Sequence, residues 1–246
     1  MMDRSTAKSV LEEFCSYPIG SVEAIFHRFC ELPDAICHFD GDKRNFVYVP
    51  GKREDRVLLV AHADTVWDEL YARGSYKQEL KEHYGVYSGK NKQCGIGADD
   101  RAGCAILWLL RNSGHSLLIV DGEEYGQIGS YHIMDSYPEI FDELNAHSYM
   151  VQFDRRENRN YKVYDLPVSD EFIDFIEDTT GYYDAGRRSS TDIVVLCRGI
   201  CGVNLSIGYY DEHTSRERLV FDEWYSTLEL AESFLEKEQK RYPLDI

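Results

Sequence analysis

Histidines and carboxylates in five short motifs are the residues of this 246-residue chain whose types and spacing could do chemistry. Imidazole nitrogens and carboxylate oxygens bind zinc and similar divalent ions, and such ions activate water for hydrolysis. Four of the five motifs lie at or just beyond a short apolar run. The motifs are HAD at 62–64, GADDRAG at 97–103, DGEE at 121–124, FD at 153–154 and DEH at 211–213. This set indicates hydrolysis at a paired metal site.

The HxD motif offers one metal ligand and one residue that can orient it. Alternate residues of a strand point the same way, so His62 and Asp64 can face one pocket. His62 would bind metal through one ring nitrogen, and Asp64 would accept the N–H of the other. Taken alone, the motif also fits a buried structural histidine.

Asp99 and Asp100 open an apolar helix. The free N–H groups and the dipole of a helix N-terminus favour carboxylates, so both residues could simply cap the helix. The functional alternative is that one of the two carboxylates bridges two metal ions. Asp100 would then cap the helix or support the site.

Glu123 and Glu124 directly follow the apolar run SLLIV and its Asp-Gly. Adjacent residues point in different directions, so one glutamate can bind metal while the other stays free as a general base. Asp154 ends another apolar run but could also pair with the arginines that follow it. His213 precedes the last predicted helix and could be structural.

Helices and buried strands alternate through most of the chain. This alternation predicts an α/β fold with a mixed, largely parallel central sheet sandwiched between helices, and ligands in such folds bind beyond the carboxyl ends of the strands. No linker or repeat divides residues 1–246, so we expect a single domain. Helices are predicted at 5–17, 21–32, 102–110, 172–176, 191–198 and 216–240, and strands at 36–39, 46–49, 57–61, 76–80, 85–87, 117–120, 149–153 and 203–207.

Composition limits the partners and the compartment. A net charge of −17 argues against nucleic acid, which usually requires basic patches. No apolar run reaches the ~20 residues that a membrane span needs, so no membrane partner is expected. The seven cysteines are odd in number and irregularly spaced, and the N-terminus lacks the apolar core of a secretory signal. We therefore expect a reducing, cytoplasmic compartment.

In their order, the motifs resemble those of the co-catalytic di-zinc exopeptidases, which include zinc aminopeptidases, tripeptidase T and related carboxypeptidases and amino-acylases. VLLVAHADTV is similar to the first metal motif, GIGADDRAG to the bridging-aspartate motif and DGEEYGQIGS to the glutamate pair. The resemblance implies two divalent metal ions, with zinc favoured and cobalt or manganese also suited to the donor set. The metal ligands that it implies are His62, Asp99, Glu124, Asp154 and His213.

Roles within this set follow from the resemblance alone. Asp99 would bridge the two ions. His62 would share its ion with Asp154, and His213 would share the other with Glu124; the residues themselves do not say which carboxylate serves which ion.

The resemblance also makes Glu123 the general base and Asp64 the partner of the first histidine. Asn45 and the SSTD at 189–192, usually GGTD, match further landmarks. Many relatives carry an inserted lid or dimerisation domain. The 37 positions from the first histidine to the bridging aspartate, and the 59 between the last two ligands, leave no room for one. The chain thus resembles a bare catalytic domain, and a homo-oligomer stays open.

We predict a zinc-dependent metallopeptidase that hydrolyses small peptides near a free amino terminus. Arg187 and Arg188 could bind a substrate carboxylate, and Tyr209 and Tyr210 could hold an oxyanion, although exposed loop charges and packing explain them as well. One alternative is an N-acyl amino-acid deacylase or carboxypeptidase that uses the same site. Another, of a different class, is a metal-binding interaction module without catalysis, against which an intact Glu123 argues.

Overall fold

A mixed sheet of eight strands forms the centre of the protein, whose computed structural model describes residues 2–68 and 78–246. Its strands, numbered in chain order, are β1 (Ile36–His38), β2 (Phe46–Val49), β3 (Leu58–His62), β6 (Ser116–Val120), β7 (Met150–Arg155), β8 (Asn160–Lys162), β9 (Tyr183–Asp184) and β10 (Gly202–Ser206). Their order across the sheet is β1-β2-β6-β3-β7-β10-β8-β9. β3 runs parallel to β6 and β7, and β7 runs parallel to β10.

Helices cover this sheet, which confirms the predicted α/β class. They are α1 (Arg4–Cys15), α2 (Glu23–Cys30), α3 (Ala98–Leu110), α4 (Ile128–Ser136), α5 (Pro138–Leu144), α6 (Asp170–Thr180), α7 (Asp192–Leu196) and α8 (Phe221–Leu235). α3 packs across β3 and β7, and α1 and α8 pack on α3. α7 packs on β7 and β10 and contacts α4.

The parallel strands place their carboxyl ends at one edge of the sheet. β3, β6 and β10 are buried along their whole length, and the residues of β3 and β6 are almost all apolar, as is usual for strands covered on both faces. The register sets His62 of β3 beside Val120 of β6. The polar residues that follow β6 and those that end β7 therefore lie next to His62.

A second sheet was predicted only in part, through the strands expected at 76–80 and 85–87. It has four antiparallel strands in the order β11-β12-β5-β4, which are β4 (Leu80–His83), β5 (Val86–Gly89), β11 (Tyr209–Tyr210) and β12 (Arg218–Val220). The prediction of one helix over 216–240 is therefore wrong at its start. Residues 218–220 pair with 86–88, and α8 begins only at Phe221. Residues 76 and 77 of the predicted strand at 76–80 lie outside the described residues.

One cysteine pair also departs from the sequence-based expectation. Cys30, the last residue of α2, forms a disulfide with Cys37 of β1, which a reducing compartment did not predict. The other five cysteines are buried and form no disulfide within the described residues. A cytoplasmic location stays a prediction.

Candidate dinuclear metal site

His62, the last residue of β3, lies at the centre of the first group of candidate ligands. The ring is buried because the strand that carries it is covered on both faces. Its Nε2 lies 3.3 Å from Asp99 Oδ1 and 3.4 Å from Asp154 Oδ1. One imidazole and two carboxylates thus converge on a small volume, which is a donor set that suits zinc.

His213 lies at the centre of the second group. Its Nε2 lies 3.1 Å from Asp99 Oδ2 and 3.0 Å from Glu124 Oε2. Asp99 therefore presents one carboxylate oxygen to each histidine. A carboxylate shared in this way has the arrangement needed to bridge two cations, and the grouping is the one that the family resemblance implies.

Asp64 connects His62 to the glutamate pair. Its Oδ1 lies 3.3 Å from His62 Nδ1, while its two oxygens accept the backbone N–H groups of Glu123 and Glu124 at 3.1 and 3.2 Å. These bonds fix the turn at 123–125, where the chain makes a short 3-10 helix after β6. Asp64 thereby sets the direction of both glutamates, as residues behind metal ligands commonly do.

The two aspartates that open α3 have different environments. Asp100 accepts the Gly103 N–H at 3.1 Å and the His62 N–H at 3.2 Å, so it caps the helix and holds the end of β3. Asp99 faces the candidate ligands instead. Capping and metal bridging were both open for this pair from sequence; Asp100 has the capping role, and bridging by Asp99 stays a prediction.

Burial and mutual repulsion shift the pKa values of Glu123, Glu124 and Asp154 upward, whereas for Asp99, despite its burial, hydrogen bonds to the two histidines hold the pKa well below its usual range. Burial, and then the charge of Asp99, raise the pKa of Glu124 to about 7. Burial also raises the pKa of Asp154 to about 6 and that of Glu123 well above its usual range. Hydrogen bonds to Asp99 and then to Glu124 raise the pKa of His213 to about 11. So much buried negative charge favours binding of cations.

An unsatisfied oxygen atom of Glu124 also favours metal binding by these residues. Glu124 Oε1 is buried and has no hydrogen-bond partner among the described residues. A buried carboxylate oxygen without a donor is costly, and a cation beside it would remove that cost. The residues present therefore fit a pair of divalent ions.

A third acidic group lies beside the first two. It consists of Asp64, Asp68 and Asp121, all of which are buried. Lys43 places its Nζ 3.2 Å from Asp68 Oδ2, so an ammonium already supplies positive charge there. Asn45, one of the landmarks seen in the sequence, donates to Asp121 at 2.6 Å and belongs to the same surroundings.

Several residues that contact the candidate ligands were not predicted from the sequence. Glu217 is buried and accepts the backbone N–H groups of Gly97 and Asp99 at 2.7 and 3.0 Å. Gln152 and Thr191 donate to Asp154 Oδ2 at 3.1 and 2.9 Å. The position of Thr191 in the SSTD motif was a signal for its role, whereas nothing in the sequence marked the other two.

Asp99, Glu124, Asp154 and His213 line a cleft of about 400 Å³ together with Glu123, and the buried His62 lies behind them. Tyr209 lies in this cleft, and its hydroxyl is 3.3 Å from Asp154 Oδ1. Tyr210 instead donates to Glu223 at 2.7 Å. Arg188 lines the cleft, but Arg187 is not among the described residues that do. In each predicted substrate-binding pair, therefore, one residue lines the cleft and the other is not among the described residues that do.

The fold is shared with solved structures of aminopeptidases and a tripeptidase, which agrees with the fold that the sequence resemblance implied. A tripeptidase from Staphylococcus aureus superposes with a TM-score of 0.69 at 11% identity, covering 96% of this chain and 98% of the other. Aminopeptidase PepT from Bacillus cereus gives 0.67 at 13% identity, with 96% and 98% covered. Aminopeptidase APDkam598 from the archaeon Desulfurococcus kamchatkensis gives 0.62 at 13%, with 95% of each chain covered.

Identities this low show a shared fold alone. No family model matches the sequence, and no curated protein matches it. No helix in residues 2–68 and 78–246 is long and apolar enough to cross a membrane.

Proposed function

We propose that the protein is a metal-dependent hydrolase that cleaves small peptides near a free amino terminus. The observation that carries this proposal is the position of Asp99, whose two carboxylate oxygens face two separate histidine–carboxylate groups. The names of the structures that share the fold, which are aminopeptidases and a tripeptidase, also support it. A single catalytic domain and a cytoplasmic location complete the proposal, and oligomers such as the TET1 peptidase assemblies make self-association reasonable.

The cofactors proposed are two divalent ions, zinc in preference to cobalt or manganese. His62, Asp99 and Asp154 would hold one ion, and Asp99, Glu124 and His213 the other. Bound there, such ions supply Lewis-acid activation of a water molecule and of the scissile carbonyl. Two imidazoles and three carboxylates form the mixed set of nitrogen and oxygen donors that zinc accepts.

Glu123 is the proposed general base. Its carboxylate lies in the cleft with the candidate ligands, and burial raises its pKa well above the usual range. Gln127 Nε2, 3.3 Å from Glu123 Oε1, helps to orient the carboxylate. Glu123 would take a proton from the attacking water and deliver it to the leaving amine. Tyr209, beside Asp154, is placed to donate to the developing oxyanion.

The experiment combines a substrate panel with one variant. Metal-loaded protein is offered aminoacyl anilides, dipeptides and N-acetyl amino acids. Turnover of the first two sets supports the proposal, whereas turnover of the acylated set alone would favour a deacylase. Glu123→Gln is expected to keep both metal ions and lose at least about 100-fold in kcat. Wild-type protein that hydrolyses nothing with any metal would favour a binding module.

A further inference from the structure

A lysine from outside the candidate ligand set contacts the turn that carries both glutamates. Lys43 lies in the loop between β1 and β2, and its side chain is 25% exposed. Its ammonium lies 3.7 Å from the centroid of the ring of Tyr125, the last residue of the turn at 123–125. A Cβ added to Gly122 would lie 2.8 Å from the Lys43 carbonyl oxygen and 2.9 Å from the Lys43 Cβ. Lys43 therefore packs against the turn at both of its ends.

The same ammonium pairs with the third acidic group, which consists of Asp64, Asp68 and Asp121. Its Nζ lies 3.2 Å from Asp68 Oδ2, and one oxygen of each of the three carboxylates lies within 4.8 Å of the others. All three residues are buried, and Asp121 Oδ1 has no hydrogen-bond partner among the described residues. Buried carboxylates this close repel one another, so a cation beside them stabilises the group.

The backbone of the β1–β2 loop holds the ammonium at this position. Asp42 and Lys43 have φ angles of 47° and 62°, a left-handed conformation that is uncommon for residues with a side chain. Asn45 then fastens the loop to Asp121, whose carboxylate accepts the Asn45 amide at 2.6 Å and whose N–H donates to the Asn45 carbonyl at 3.0 Å. An unfavourable backbone conformation persists only where its surroundings fix it. The loop is thus shaped around the acidic group.

The third acidic group is connected directly to the glutamate pair. Asp64 accepts the backbone N–H groups of Glu123 and Glu124 at 3.1 and 3.2 Å. Without the ammonium, repulsion from Asp68 and Asp121 would displace Asp64 from these donors. A small displacement of a general base or of a metal ligand is costly to catalysis and to metal binding.

We propose that Lys43 is a positioning residue whose ammonium is the built-in counter-ion of the third acidic group. Through this group it holds Glu123 and Glu124 where a general base and a metal ligand are required. The inference rests on the proposed function and adds to it a residue that does not belong to the candidate ligands. An ammonium tethered to the chain supplies this positive charge at every concentration of free cations.

The first test removes the charge of Lys43 and keeps most of its length. In metal-loaded Lys43→Met, kcat for a dipeptide should fall about 10- to 100-fold while KM changes less than about 3-fold, because Lys43 is not among the described residues that line the cleft. Lys43→Arg keeps the charge and should retain most of kcat. The matched control is Arg44→Met, which removes an exposed positive charge from the same loop. Wild-type kcat in Lys43→Met, or an equal loss in the control, would overturn the proposal.

A second substitution separates charge from packing and needs neither metal nor turnover. Asp68→Asn removes one of the three carboxylates but can keep the oxygen that accepts two hydrogen bonds from Thr65. In urea titrations of metal-free protein, Lys43→Met should raise the equilibrium constant for unfolding about 10-fold or more. Adding Asp68→Asn to Lys43→Met should reverse much of this change, because fewer negative charges then lack a cation. Effects that simply add in the double variant would show that Lys43 acts through packing, which contradicts the proposal.

Metal binding separates this inference from the proposed peptidase function. In Lys43→Met, zinc affinity should fall about 10- to 100-fold for the ion near Glu124 and His213 and less for the ion near His62 and Asp154. Calorimetry measures both affinities, and anomalous-difference maps at limiting zinc identify the weakened position. This result supports the role of Lys43 even if no peptide is hydrolysed. Unchanged affinities, or a loss at least as large at the other ion, would refute it even if the protein proves to be a peptidase.

Discussion

Glu217 offers a sharp test of how the site is held together, because its carboxylate binds the backbone around Asp99. Its two carboxylate oxygens accept the Gly97 and Asp99 N–H groups in a buried environment. Gly95 packs so closely that a Cβ there would lie 2.2 Å from Glu217 Oε2. The carboxylate thus fixes the loop that presents Asp99 to both histidines.

Glu217→Gln keeps the size of the side chain but turns one acceptor into a donor. The amide group must face one of the two N–H groups, so one charge-assisted bond is lost and a buried donor has no partner. We expect the free energy of unfolding of the metal-free protein to fall by about 2–4 kcal/mol. Because Asp99 belongs to both ligand groups, the affinity for both metal ions should fall about 10- to 100-fold.

Urea unfolding with and without metal, and competition with a chelator, measure the two effects. Glu143→Gln is the matched control. Glu143 on α5 likewise accepts two hydrogen bonds, but its donors are the side chains of Arg56 and Tyr48. This control is expected to change stability slightly and metal affinity not at all. Wild-type stability together with wild-type metal affinity in Glu217→Gln would refute the reasoning.

Three further changes test packing and protonation. Burial lowers the pKa of His147 to about 4, so below pH 6.5 the unfolded chain binds a proton that the native protein does not bind. The free energy of unfolding should therefore drop by about 2 kcal/mol between pH 7.5 and 5. In urea titrations, His147→Gln should remove this part of the pH dependence. Gly103→Ala would bring a Cβ within 2.2 Å of the Phe153 carbonyl, and a loss of at least about 2 kcal/mol is expected by thermal unfolding; an unchanged midpoint would contradict the contact. Leu228→Ala, in the buried face of α8, should cost about 2–5 kcal/mol in the same assay, and a cost below about 1 kcal/mol would argue against this packing.

The central sheet and the candidate ligands were predictable because both leave strong local patterns. Strands buried on both faces are continuous apolar runs, and LLVAH at 58–62 and SLLIV at 116–120 are of this kind. Residues just beyond such strands must gather at one edge when the strands are parallel. The positions of His62 and Glu124 at this edge were therefore predictable from the sequence.

The second sheet left no such pattern. β4 and β12 are short and mostly exposed or half-buried. β4 forms a local hairpin with β5, whereas β12 pairs with β5 from far away in the chain. Residues 216–220 lie next to an amphipathic helix and have a compatible composition, so the helical period extended over them. The pairing of β12 with β5, such as that of Leu219 with Tyr87, overrides the local preference for helix. This long-range contact has no signature in the sequence.

Glu217 shows the same limit within the site. Its partners are backbone N–H groups about 120 positions away, and backbone groups are the same in every residue. Its role therefore depends on the folded chain and has no signature in the sequence.

The most direct test of the account is an anomalous-difference map from crystals of the protein grown or soaked with zinc. The account predicts two peaks per chain on either side of the Asp99 carboxylate, one near His62 and Asp154 and the other near His213 and Glu124. The proposed dinuclear site would be contradicted by a map with no peak between those side chains, together with protein that binds no metal in solution.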